Sequence, residues 1–343
     1  MKYSFKNDYS EGAHENILNA LVASNMKQEE GYGGDSVSLE AKKLMCTAME
    51  NKNCDIHFVS GGTQANLIVI SSILKPYESV IAAETAHIVD HETGAIEAVG
   101  HKINTIKTEN GKLTPEQIQP VLDAHNMVIM VKPKLVFISN TTEIGSIYSK
   151  QELKNLSDFC KKNNLFLYCD GARLGSALSA KNNNLTLADM TKFCDIFYIG
   201  GTKNGALLGE AIVIINEKLK ENFAFNIRQK GALFSKGRTL AIQFLELFKN
   251  NLFLDLAKHS NLMAEKIAEA IKNKGYSFIT EPESNQIFPI LPNTLIEKLE
   301  EKYFFYRWEK HDETSTSVRF VTSWATDKKY VNNLIEDINN FYE

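Results

Sequence analysis

The stretch Asp195-Ile-Phe-Tyr-Ile-Gly-Gly-Thr-Lys-Asn-Gly205 decides how the chain is read. Ile196 to Ile199 form a short apolar run, expected as a buried strand. Gly200 and Gly201 let the backbone turn sharply and come close to a ligand. Thr202 and Lys203 are then presented at a strand end, where the lysine is held in place. A companion stretch lies upstream, Leu165-Phe-Leu-Tyr-Cys-Asp170-Gly-Ala-Arg173-Leu-Gly175. It too is an apolar strand, and it ends in an acid and an arginine. In open parallel α/β sheets, ligands sit just beyond the carboxyl ends of the strands. Two neighbouring strands would therefore deliver Lys203, Asp170 and Arg173 to one crevice. That combination points to pyridoxal 5'-phosphate, with Lys203 forming an imine and Asp170 pairing with the protonated pyridine nitrogen.

Working outward, Ile56-His-Phe-Val-Ser60-Gly61-Gly62-Thr63-Gln64-Ala65-Asn66 reads as a strand, a glycine pair and a helix starting at or after Thr63. Gly62 and Thr63 are either an ordinary helix start or a phosphate site, because free N–H groups and the helix dipole favour an anion there. The strand from Ser79 to Ala83 leads to His87, which is either a satisfied loop histidine or a ring that stacks on a flat cofactor. Glu92 and Gly94 follow. A strand from Lys134 to Ser139 ends in Asn140-Thr141-Thr142-Glu143. From 55 to 215, strand and helix alternate, which argues for a mostly parallel sheet covered on both faces. Ala206 to Ile215 reads as a strand interrupted at Gly209-Glu210, and a long helix is expected over about 239–273.

The N-terminal loop Glu29-Glu-Gly-Tyr32-Gly33-Gly34-Asp35 is either a hinge or a feed of Tyr32 into an active site. Asp35 can cap the next helix. The basic segment from Arg228 to Arg238 is either a solvated face or an anion or subunit contact. Past residue 250 the pattern changes to helices and short strands. The expected domains are 1–250, an N-terminal arm with the large cofactor domain, and 251–343, a smaller α+β domain. Arg319 lies between Val318 and Phe320 in a strand pattern. An arginine there needs an anion, either a structural carboxylate or that of a substrate.

Composition bounds the function. A chain of 343 residues suits about two domains at roughly 150 residues each. Its net charge of −4 and scattered lysines give no basic stripe for nucleic acid or an anionic membrane. The start lacks a signal-peptide apolar core, and the longest apolar runs are far shorter than a membrane span. The expected location is cytoplasmic. The five cysteines are odd in number and lack metal-ligand spacing, so free structural thiols and no metal site are expected.

Together these stretches resemble the threonine aldolase / β-eliminating lyase family of fold type I, aspartate-aminotransferase-like pyridoxal phosphate enzymes. Cys169-Asp-Gly-Ala-Arg-Leu174 is the most specific match. Gly61 to Asn66 resembles the family's phosphate turn, and His87 with Glu92 and Gly94 resembles its ring-stacking histidine motif. Thr202-Lys203 stands at its Schiff-base lysine, Tyr32 to Asp35 resembles its Tyr-Gly-x-Asp loop, and Val318 to Thr322 its carboxylate-binding strand. The resemblance implies an aldehyde-lyase that splits a β-hydroxy amino acid, threonine or allo-threonine, into glycine and an aldehyde. A β-eliminating lyase or an aminotransferase is the alternative.

The resemblance implies Lys203, His87 and Asp170 as catalytic residues. Gly62, Thr63, Arg173 and Thr202 would join them around the cofactor, and Arg319, Asn7, Tyr32, Thr142 and Arg173 would meet the substrate. It also implies a homodimer or tetramer with shared active sites, the Tyr32 and Arg228–Arg238 loops crossing into the partner. Two departures stand out. Lys6-Asn7-Asp8-Tyr9 replaces an Arg-Ser-Asp-Thr segment, and Thr142 stands where the family has a histidine near the substrate hydroxyl. Thr142 cannot act alone as a base near neutral pH, so a water held near His87 or His91 is the expected candidate.

Overall fold

A computed structural model describes residues 2–341. Its first eight strands are β1 (Tyr3–Ser4), β2 (Asp55–Val59), β3 (Glu78–Ala83), β4 (Ile103–Ile106), β5 (Lys132–Ser139), β6 (Phe166–Asp170), β7 (Ile196–Gly200) and β8 (Glu210–Ile214). Seven of them form one sheet in the order β2-β8-β7-β6-β5-β3-β4. β8 runs antiparallel to both of its neighbours, and the other pairings are parallel. The expected α/β, mostly parallel architecture is therefore present.

The alternation of side chains along β7 shows how the sheet is covered. Phe197 and Ile199 join one buried cluster, with Leu167, Cys169 and Phe244, while Ile196 and Tyr198 join another, with Ile68, Val69 and Tyr168. Each face thus carries its own apolar layer, as the period of two along a strand requires. β6 and β7 come very close together at their carboxyl ends. A Cβ on Gly171 would lie 1.8 Å from the carbonyl oxygen of Tyr198, so only glycine lets these two backbones pass.

The expected strand from Ala206 to Ile215 begins only at Glu210. Thr202 Oγ1 accepts from the Gly209 N–H, and Gly209 has a positive φ, so the preceding residues form a turn. The long helix expected over about 239–273 is two helices, Arg238–Phe248 and Leu252–Asn273. Asn250 and Asn251 between them adopt left-handed backbone, which asparagine tolerates better than most residues.

Beyond residue 250, β9 (Gln286–Ile287), β10 (Ile290–Pro292), β11 (Tyr303–Phe304), β12 (Tyr306–Lys310) and β13 (Ser315–Val321) alternate with helices. β13 pairs antiparallel with β9, β10 and β12, and a third core forms around Ile267, Leu295, Phe320 and Leu334. The N-terminal strand joins this layer. β1 pairs with β11, and Phe5 is fully buried in the same core. The first residues of the chain are thus tied to its C-terminal part, and residues 6–9 are drawn across toward the sheet.

Candidate active site

The sheet order puts the carboxyl ends of β2, β3, β5, β6 and β7, and the start of β8, on one edge. Each chemically useful residue follows directly from one of these ends. A cavity of about 260 Å³ opens there, lined by Gly62, Thr63, His87, Asp170, Arg173, Thr202 and Lys203 together with Tyr198, Glu143 and Glu210. A second lobe of about 440 Å³ shares His87, Glu143, Arg173 and Lys203 and extends to Arg319. Eight of the eleven residues expected at the site therefore line one continuous cleft.

At the floor, the Asp170 carboxylate accepts three hydrogen bonds. Tyr198 OH donates to Oδ1 at 2.5 Å, the Ala172 N–H donates to Oδ1 at 2.9 Å, and Asn66 Nδ2 donates to Oδ2 at 3.1 Å. The same Asn66 amide donates to Glu92 Oε1 at 2.7 Å, and Tyr168 OH donates to Asn66 Oδ1 at 2.7 Å. Glu92 Oε1 in turn lies 2.8 Å from His87 Nδ1. A single buried amide thus links the carboxylate at the cavity floor to the one that orients His87. Such a network is rigid because every group in the chain is fixed by its neighbour.

Lys203 lies in the turn between β7 and β8, its amine in the cavity. Burial lowers its pKa below the ordinary lysine value, and the Arg173 charge adds to this. An amine shifted that way has more of its neutral, nucleophilic form near pH 7. Glu210 sits behind it, accepting from Thr202 Oγ1 at 2.8 Å and from the Gly201 N–H at 3.1 Å. Burial pushes this carboxyl up to about 8.

The helix Gly62–Ile73 points its N-terminus at the same cavity. Its N-cap, Gly61, supplies no side-chain hydrogen bond, and no acidic residue occupies the first turn. The first-turn N–H groups are left for an anion. A Cβ on Gly62 would lie 2.9 Å from Tyr198 OH, so glycine is what lets this turn approach the floor. Thr141 Oγ1, also on the cavity wall, is buried without a partner. An uncapped helix start, a supported carboxylate and a buried amine fit the phosphate, the ring nitrogen and the aldehyde of pyridoxal phosphate.

Arg173 spans the two lobes. Its Nε and a terminal nitrogen donate to Asp8 at 2.7 and 3.0 Å, and Asn285 Nδ2 donates to Asp8 Oδ2 at 2.9 Å. Arg319 sits with its guanidinium 4.9 Å from the Tyr306 ring centroid and 5.1 Å from that of Trp308. Its Nε is buried without a partner, and a terminal nitrogen makes one long bond to the Lys6 carbonyl at 3.4 Å. No carboxylate of the chain pairs with Arg319 among the described residues, so the structural ion pair weighed from sequence is not what holds it.

Three expected residues are not brought to the cleft. The Asn7 side chain accepts from the Tyr9 N–H and the Ser10 hydroxyl, closing a local turn. Its neighbour Asp8 takes the inward position. Tyr32 is 52% exposed and packs on the chain's own basic loop, its ring 5.4 Å from the Arg228 guanidinium. Thr142 is fully buried, its hydroxyl 2.8 Å from Ser146 Oγ. Thr141 and Glu143 on either side face the cavity instead. Glu143, Tyr198 and Glu210 on the cavity wall, and Asp8 as the partner of Arg173, are among the residues that sequence reasoning missed. Asp8, Glu143 and Glu210 each carried one signal, a lone acid beside an expected strand end or in an expected substrate segment.

All five cysteines are free. No group of three or more potential metal ligands occurs among the described residues, and no described helix is long and apolar enough to cross a membrane.

Comparison with known proteins gives the family and the fold. The family model for beta-eliminating lyases matches residues 7–293. A low specificity L-threonine aldolase from Pseudomonas sp. (strain NCIMB 10558) is 34% identical over 97% of this chain and 96% of its own length. A solved Leishmania major threonine aldolase superposes with a TM-score of 0.96 at 47% identity, covering 98% of both chains. Thermus thermophilus aspartate aminotransferase shares the fold, with a TM-score of 0.71 at 12% identity over 98% of this chain and 91% of its own. The chain therefore belongs to the beta-eliminating lyase family, on a fold type I, aspartate-aminotransferase-like scaffold.

Proposed function

We propose that this protein is a pyridoxal phosphate-dependent aldehyde-lyase that cleaves threonine or a related β-hydroxy amino acid to glycine and an aldehyde. The observation that carries this reading is the convergence of Lys203, Asp170, His87 and the helix start at Gly62 on one cavity. It is supported by the threonine aldolases that match nearly the whole chain.

In this reading the cofactor, once bound, supplies an electron sink for the pair released when the Cα–Cβ bond breaks. Lys203 would be the residue that holds it, through the buried amine. Asp170 would pair with the ring nitrogen, with Tyr198 and Asn66 holding the carboxylate in line. His87, oriented by Glu92, would stack on the ring. Gly62 and Thr63 would receive the phosphate through their backbone, and the Thr202 hydroxyl, anchored on Glu210, lines the same cavity. Arg173, already paired with Asp8, would border the ring. Arg319 takes the substrate carboxylate with its planar fork, fixing which bond lies over the π-system. The free Nε of Arg319 supports that assignment.

A homodimer, or a pair of dimers, in the cytoplasm completes the proposal. Leu18, Val22 and Met26 on and after the first helix, Leu39 on the second, and Leu207 and Leu208 just after Lys203 leave apolar side chains exposed, as a covered interface requires. Tyr32 and the Arg228–Arg238 loop would then reach a partner's cleft.

The test is product analysis. Purified protein loaded with pyridoxal phosphate is given L-threonine, L-allo-threonine and phenylserine in separate reactions. Equal amounts of glycine and aldehyde are expected. A 2-oxo acid with ammonia would instead make it a β-eliminating enzyme.

A further inference from the structure

The residue at the expected position of a hydroxyl-directed base is Thr142, and it faces away from the cleft. Its hydroxyl is bonded to Ser146 Oγ at 2.8 Å, and the Ser146 N–H donates to it at 3.2 Å. The next residue turns the other way. Glu143 lines both lobes of the cleft, between His87, Arg173 and Lys203. Its two oxygens are used differently. Oε1 accepts from the His87 backbone N–H at 3.0 Å and from Ser139 Oγ at 2.6 Å. Oε2 has no hydrogen-bond partner among the described residues.

We propose that Glu143 is a catalytic residue, the base that takes the proton from the β-hydroxyl of the substrate. This role rests on the aldol-cleavage reading above. One oxygen anchored and one free is the arrangement a positioned base needs, since the anchor fixes the direction of the other. The anchor on the His87 backbone also ties the base to the residue that covers the ring. Competing groups are less well placed. His87, held through Nδ1 by Glu92, is assigned above to the cofactor ring rather than to the substrate hydroxyl. His91 stands farther out, its ring 5.5 Å from that of His87, and it lines only the outer lobe.

The step balances without any further reactant. The hydroxyl proton moves to Glu143 Oε2, and the O–H electron pair becomes the second bond of the aldehyde carbonyl. The Cα–Cβ bond breaks, and its pair stays with Cα. A proton from water then goes to Cα to give glycine, and Glu143 returns its proton to water, so the water is not consumed.

The charged and titratable groups around Glu143 are His87 and His91 on one side, Asp170, Arg173 and Lys203 at the floor, and Arg319 across the outer lobe. Burial raises the Glu143 carboxyl above the ordinary glutamate value, and the Asp170 charge adds to this. The base form is therefore gained as pH rises through a raised pKa, and its basicity exceeds that of a solvated carboxylate.

Glu143→Gln tests the role in enzyme loaded with pyridoxal phosphate, because the amide oxygen can keep both Oε1 contacts. Three readouts are compared with wild type: the cofactor absorption band, exchange of the glycine α-proton into D2O by NMR, and cleavage of threonine across pH. Exchange needs no β-hydroxyl base, so it is expected within about threefold of wild type while cleavage falls by roughly 100- to 10,000-fold. The acid limb of kcat/KM is expected to disappear with it. Glu143→Asp, which keeps the carboxylate, is expected to regain part of the cleavage and an acid limb. Cleavage by the glutamine variant within about fivefold of wild type would overturn the role, given the size of such effects. So would a parallel loss of exchange and cleavage in both variants. Wild-type protein that exchanges glycine but never cleaves threonine would instead refute the aldol reading, and this role with it.

Discussion

Removing the Asp8 carboxylate should destabilise the protein by about 3 kcal/mol, although Asp8 lies in a short N-terminal loop. The magnitude follows from the surroundings. Asp8 is 1% exposed and receives both nitrogens of the Arg173 fork. Breaking a buried pair by deleting one partner costs about 3–5 kcal/mol, because the other charge is left buried alone. Arg173 retains 14% of its side-chain exposure, and Asn285 keeps a second acceptor in the Thr322 carbonyl. Both facts place the cost at the lower end of that range, at about 3 kcal/mol. The assay is urea unfolding of Asp8→Ala and wild type at one protein concentration, without cofactor, so that mass action does not enter the difference. The pH dependence gives a second check. Burial would raise the Asp8 pKa, but the Arg173 and Lys203 charges and the hydrogen bonds from Arg173 and Asn285 together outweigh it, so the net shift is downward. A depressed carboxylate contributes stability above its unfolded value of about 3.8 and loses it as pH falls through the folded value. The gap between variant and wild type should therefore narrow under strongly acidic conditions. A loss below about 1 kcal/mol at neutral pH, the worth of an exposed pair, would refute the reasoning.

Three further outcomes are expected. Tyr198→Phe removes the 2.5 Å donor to Asp170, and a hydrogen bond to a charged group is worth about 1.5–3 kcal/mol. Cofactor affinity should fall roughly 10- to 100-fold in an absorbance titration, and an unchanged affinity would count against the support role. Glu210→Gln should flatten the alkaline loss of stability. The folded Glu210 titrates at about 8 against 4.5 as its ordinary value, so its contribution is full below 4.5 and is lost as pH rises through about 8. Melting temperatures across that window should fall less steeply in the variant, and identical slopes would contradict the assignment. Arg319→Lys keeps the charge but loses the planar fork that lies between Tyr306 and Trp308. KM for threonine should rise by roughly tenfold or more with a smaller change in kcat. An unaltered KM would remove Arg319 from the substrate carboxylate.

Much of the site was legible because the sheet does the assembling. Apolar runs ending in Gly-Gly-Thr-Lys and in Asp-Gly-Ala-Arg mark strand ends, and parallel strands bring their carboxyl ends to one edge. Lys203, Asp170 and Arg173 follow from that, whereas His87 and Gly62, open on their own residues, came through the family resemblance. What stayed hidden depends on loop direction. Neighbouring residues in a turn point opposite ways, and the spacing of Thr142 and Glu143 does not say which one faces the cavity. Asp8 is 165 residues from the arginine it pairs with, and no local pattern joins them. Tyr198 sits in an apolar strand and reads as core, yet its hydroxyl reaches Asp170. The break at Asn250 and Asn251 was missed because the apolar helical pattern continues on both sides of it.

The central claim is that Lys203 carries the cofactor opposite Asp170. It is tested most directly by borohydride reduction of the loaded protein, followed by peptide mapping of the pyridoxyl label. The label is expected on the peptide containing Lys203, and Lys203→Ala is expected to lose both the label and threonine cleavage. Label on another lysine of the wild type, or cleavage by Lys203→Ala at the wild-type rate, would contradict the account.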